Sequence, residues 1–148
     1  MHPRRLASFV PALLLLALAA CGGHAGYSAA PAMSPADAVE RFLRASGQKQ
    51  YGTMAELFGT TAGSILQRDP RPESERRMYA ISSVLENERF TLRDQQPVPG
   101  SATHEMAITV ALTHRGHTVD VPFTTVQGPQ GHWYVEKVDL EAVTSLRQ

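Results

Sequence analysis

His114 and His117 flank the dipeptide Arg115-Gly116. If that dipeptide is a two-residue turn, the two imidazoles stand opposite each other on neighbouring strands, close enough to share a metal ion. The competing reading is a pair of solvated histidines at a wet hairpin tip. The nearest carboxylate in sequence, Asp120, alternates to the other face of its strand. His104 and His132 sit at strand starts and read as solvated loop residues. Asp94, Asp120 and Glu136 lie in strand-like segments, and a carboxyl group enclosed by apolar side chains has a raised pKa suited to a general base. Asp120 falls outside the apolar set. Glu136 shares parity with Tyr134 and Val138 and is the better inward candidate. Tyr51, Tyr79, Trp133 and Tyr134 can line a ligand pocket or fill an ordinary core. Arg68, Arg71, Arg76 and Arg77 alternate with Asp69, Glu73 and Glu75, and mixed signs favour a solvated surface over an anion site.

These residues need elements to hold them. Ser34-Pro35-Ala36-Asp37 marks a helix start: a capping hydroxyl, proline at the first helical position and an acid near the positive end of the dipole. Val39, Phe42 and Leu43 then share one face, and Gly47 ends the helix. A second short helix carries Tyr51, Met54, Leu57 and Phe58, with Gly59 after it. Thr60 to Leu66 reads as a further helical turn. Asp69-Pro70-Arg71-Pro72 is a break, and a third helix is expected from about Glu73 to Asn87, with Met78, Ile81 and Leu85 as its stripe.

From Arg89 the apolar period changes from helical spacing to two. Phe90 and Leu92 form a short strand, and Pro97, Pro99 and Gly100 follow as a loop. Met106, Ile108, Val110 and Leu112 alternate with smaller or polar residues, as do Val119, Val121 and Phe123 beyond the Arg115-Gly116 turn. If Arg115-Gly116 is a two-residue turn, it pairs Leu112 with Val119, Val110 with Val121 and Ile108 with Phe123, so every apolar residue shares one face; Arg-Gly is not the favoured turn pair, and a longer, bulged turn is the alternative. A slip of one residue would scatter them. Pro122 cannot donate to a ladder and implies an edge or a bulge beside it. Trp133 to Leu140 is the last strand. Either Trp133 and Val135 or Tyr134 and Val138 face the core, depending on where a bulge falls.

The chain opens with a basic start (His2, Arg4, Arg5) and an apolar run from Phe9 to Ala20, shorter than the roughly 20 residues a membrane span needs. Small residues then precede Cys21, the only cysteine. Leu18-Ala19-Ala20-Cys21 resembles the lipobox of bacterial lipoproteins. The resemblance implies a signal peptide over residues 1–20, a diacylglyceryl group on the Cys21 thiol and a mature chain that begins at Cys21, tethered to a membrane by two or three acyl chains. Gly22, rather than aspartate, as the second mature residue implies the outer membrane in a host with two membranes. Residues 21–33, rich in Gly, Ala and Ser, read as the lipidated cysteine and a flexible tether, and residues 34–148 as one domain. Loss of Arg4 and Arg5 with the signal leaves 12 of the 14 Lys and Arg against all 14 Asp and Glu, a net charge of −2. That balance gives no electrostatic footprint for nucleic acid. With Cys21 lipidated there is neither a disulfide nor a thiolate metal site, and no motif points to a cofactor.

Three helices followed by four strands in a meander make an α+β domain with helices on one face of the sheet. That order, together with Val39-Glu40-Arg41-Phe42-Leu43 in an Ala-rich first helix and a closing Trp133-Tyr134-Val135 strand, is similar to the nuclear transport factor 2-like fold. The resemblance covers about residues 34–140 and implies a curved sheet wrapped around the long helix, with a pocket at the open end of the cone. No residue set here matches the Asp–His or Asp–Tyr sets of that family's enzymes. The expectation is therefore a membrane-anchored envelope lipoprotein with a non-catalytic domain that binds a small apolar ligand or another envelope protein. Tyr51, Tyr79, Tyr134 and Glu136 are its candidate pocket residues. The alternative is a small cone-pocket enzyme moving a proton on a hydrophobic substrate. A third reading uses the outer sheet face (Thr109, Ala111, Thr118, Thr124) for a partner or a second copy.

Overall fold

Helix α1 (Pro35–Gly47) begins where its capping residues place it, with the Asp37 N–H donating to Ser34 Oγ at 3.1 Å. A computed structural model describes residues 30–101 and 104–144. Cys21, the proposed signal segment and the tether up to residue 29 lie outside the described residues. Ala38, Val39, Phe42 and Leu43 of α1 are buried against the sheet, and α2 (Tyr51–Leu57) adds Met54, Ala55 and Leu57 to the same layer. Phe58, just past α2, stacks at a tilt on Phe42 with ring centroids 6.0 Å apart.

The segment expected to continue as a helical turn does not. Gly59–Thr60 (β1) and Gly63–Ser64 (β2) form a two-stranded hairpin, and a 3₁₀ turn follows at Ile65–Gln67. Two glycines explain it. A Cβ at Gly59 would lie 2.3 Å from the Gly63 carbonyl oxygen, and Gly63 has φ +115°. Helix α3 (Arg71–Val84) starts two residues earlier and ends three residues sooner than expected. Its inner side is Ser74, Met78 and Ser82, continued by Leu85. Ile81 is only half-buried.

Strands β3 (Arg89–Pro97), β4 (Glu105–His114), β5 (His117–Gln127) and β6 (Trp133–Val138) form one antiparallel sheet in that spatial order. The fold is thus a mixed α+β domain with a four-stranded meander. The β4–β5 register matches the apolar pattern: Leu112 faces Val119, Val110 faces Val121 and Ile108 faces Phe123. Arg115 and Gly116 have φ +49° and +79°, the left-handed pair that a tight twisted hairpin demands. Pro122 has an edge beside it, because β6 pairs with β5 only from Phe123 to Gln127.

The register shift that decides the last strand lies at Glu136. Thr124 pairs with Lys137 and Thr125 with Val135, so Glu136 is the extra residue. The bulge brings Val135 and Val138 to the same face, and simple alternation of Tyr134, Glu136 and Val138 fails. Strand β6 also ends at Val138, short of Leu140. Asp139 Oδ1 accepts from the Glu141 and Ala142 N–H groups at 3.1 and 3.3 Å and starts a short helix, α4 (Leu140–Thr144).

The outer edge of β6 is covered. Ala32, in the expected tether, is 1% exposed and accepts from the Trp133 N–H at 2.9 Å. Phe58 bridges Val135 in the parallel sense. The ordered domain therefore begins ahead of Ser34. Among the described residues no helix is long and apolar enough to cross a membrane.

Candidate functional site

Two concave sites meet at Glu86, just past the end of α3. The tyrosines expected to line a pocket come together in one of them. Tyr51 and Tyr79 pack edge to face with centroids 5.6 Å apart and an interplanar angle of 88°. With Ser46, Ser82 and Leu85 they line a cavity of about 340 Å³ between the end of α1 and the second half of α3. Ser46 and Ser82 are buried there, and their hydroxyls bond to each other at 3.0 Å. Tyr79 is 57% exposed, so it forms the rim rather than the interior.

The other two expected residues are elsewhere. Tyr134 lines a shallower recess of about 250 Å³ with Trp133, Ala32 and Glu56. Glu136 occupies the β6 bulge and is half-buried. Partial burial raises its carboxyl pKa above the usual range, and the nearby Glu105 carboxylate adds to the shift. The four candidates do not converge on one cavity.

The second concavity lies at the β4–β5 hairpin tip and also holds about 340 Å³. Its floor is apolar: Leu112 and Val119 from the strands and Val143 from α4. Its rim is ionisable: Glu86 from the α3 end, and His114, Arg115 and His117 from the hairpin. The turn that presents the rim is anchored from below, since the Arg115 N–H donates to Glu88 Oε1 at 2.9 Å. His114 and His117 are direct register partners, as the spacing requires. Even so, among the described residues no group of three His, Cys, Asp or Glu side chains converges in a way that could hold a metal ion.

Sequence reasoning missed Glu86, Arg115 and Val143 as parts of one site. Asp139 was the available signal for Val143, since an aspartate followed two residues later by glutamate can start a helix rather than extend a strand. The outer face of the sheet, considered as a contact surface, also carries charge. Arg93, the extra residue of a bulge in β3, reaches across β4 to Asp120 of β5 at 3.0 Å. Beneath that crossing Ala111 is buried.

The polar side chains buried among the described residues are Ser46, Ser74, Ser82, Thr113 and Thr125, none of them titratable near neutral pH. The chain matches no family model, no curated protein and no solved structure.

Proposed function

We propose that this chain is a lipid-anchored envelope protein whose domain serves as a non-catalytic binding module. The observation that carries the anchor is Leu18-Ala19-Ala20-Cys21 behind a basic start and a short apolar run. Support for the binding role comes from the two solvent-open cavities around Glu86. The non-catalytic character is read from the sequence, where no residue set matches the Asp–His or Asp–Tyr sets of nuclear transport factor 2-like enzymes.

The same reading takes the domain as a nuclear transport factor 2-like cone. In its favour, α1 packs along all four strands β3 to β6. The geometry suits a tethered module. The chain from Cys21 joins the domain at Ala32, beside the start of β6 and the end of β5. The hairpin tip is at the other end of β5, roughly 33 Å away at the usual rise per residue. A lipid on Cys21 would hold the domain near the membrane.

Intact mass measurement of the full chain extracted from bacterial membranes tests the anchor. The expected product begins at Cys21 and carries the added mass of two or three acyl chains, and Cys21→Ser abolishes both the acyl mass and membrane retention. A mature chain cut elsewhere, or one with an unmodified Cys21, would refute the reading.

A further inference from the structure

We propose that the hairpin-tip cavity is a binding site for a small organic anion, a carboxylate carried on an apolar body. The inference rests on reading the domain as a binding module, and it names the ligand class. The half-buried Val119, backed by the buried Leu112 and Val143, gives the cavity an apolar lining, and its volume of about 340 Å³ lies within the range of small-molecule sites. Around that floor stand His114, Arg115 and His117, all from one hairpin tip. Among the described residues these three side chains make no hydrogen bond and no ion pair. An arginine is always charged, and its planar fork of N–H groups matches a carboxylate. The imidazoles, neutral or protonated, can each donate an N–H as well.

The opposing charge is placed to orient a ligand rather than to neutralise the site. Glu86 lines the cavity from just past the end of α3, not from the hairpin, and among the described residues it pairs with none of the three. Glu88 accepts from the Arg115 backbone N–H and so holds the turn. A ligand that lays its apolar body on Leu112, Val119 and Val143 would direct its carboxylate to the hairpin side, away from Glu86. The turn itself supplies rigidity. Its left-handed backbone at Arg115 and Gly116 and its bond to Glu88 fix where the guanidinium starts.

The test is a titration of the full chain in lipid nanodiscs, followed by NMR of the histidine ring signals, which are assigned with His114→Gln and His117→Gln. Three probes share one apolar body: 3-phenylpropanoate, 3-phenylpropan-1-ol and 3-phenylpropylamine. The anion is expected to shift both ring signals and to bind about tenfold tighter than the alcohol, the gain of one charge-assisted bond. Arg115→Asn should remove that advantage and leave the alcohol's affinity unchanged. Asn-Gly is a favoured pair for this turn, so the variant keeps the fold. The proposal is overturned if alcohol and anion bind equally, if the amine binds tightest, or if no probe shifts the histidines. None of these results bears on the mass of Cys21, so the site and the anchor can fail separately.

Discussion

One apolar face runs the length of strands β4 and β5, and its two ends are used differently. In the middle, Ile108, Val110, Val121 and Phe123 are covered by α1 and fully enclosed. At the hairpin end the face meets the end of α3 and the five residues of α4, which line the tip cavity together with Leu112 and Val119. There Val119 is half-buried, and the next rung is His114 and His117. The period of two is identical in both places; what differs is the cover. Where cover is complete, the side chains are apolar and contribute stability. Where Val119 meets water, ionisable groups border the cavity, and that combination suits binding. The comparison predicts that stability and ligand binding can be changed independently.

The largest expected effect is in the middle. Phe123→Ala should destabilise the domain by about 3–5 kcal/mol, measured by urea unfolding. Val119→Ala, at the tip, should cost about 1 kcal/mol or less, because half of the side chain already meets water. Equal losses at the two positions would mean that the tip belongs to the core, and the comparison would break. Ser82→Ala, at the buried hydroxyl pair beside the tyrosine cavity, should cost about 1–3 kcal/mol, since Ser46 keeps its hydroxyl but loses its partner. Ser74 offers the opposite case. Its buried hydroxyl has no hydrogen-bond partner among the described residues. Ser74→Ala should therefore raise stability, by about 1 kcal/mol, and a loss on thermal unfolding would show that the hydroxyl is satisfied in solution.

Arg115→Asn should raise stability by about 0.4–1 kcal/mol, because asparagine accepts the left-handed backbone that arginine occupies under strain. A large loss would show that the arginine side chain supports the turn, contrary to its role at the cavity rim. The smallest effect concerns Glu136. Burial, with the neighbouring Glu105 charge, raises its pKa in the folded state, so the ionised form weakens folding at neutral pH. Glu136→Gln should add less than about 0.5 kcal/mol at pH 7, given how much of the side chain meets solvent. That gain should vanish as pH falls through the raised value toward the ordinary carboxyl range near about 4. Parallel stability–pH curves for the two proteins would contradict it.

The residue pattern alone determined the start of α1 and the register of the central hairpin. Ser34, Pro35 and Asp37 act on the first helical turn they belong to. A pairing shifted by one residue would split the apolar residues of β4 and β5 between two faces, and the two-residue turn selects the register from those that remain. The lipobox resemblance is likewise local to four residues and their flanks. Of the site, the opposition of His114 and His117 was legible because the turn between them is two residues long. Tyr51 and Tyr79 line one cavity, and their separation from Tyr134 and Glu136 was not legible in the sequence. Tertiary structure decided the rest. The Glu136 bulge exists because β6 must match β5, a partner whose spacing β6 does not itself encode. The β1–β2 hairpin depends on the close approach of Gly59 to the Gly63 carbonyl. The tip cavity depends on where α3 stops and on α4 folding back over β5. Caps and apolar periods act between residues a few positions apart, whereas bulges and cavities arise from surfaces that meet only after the chain has folded.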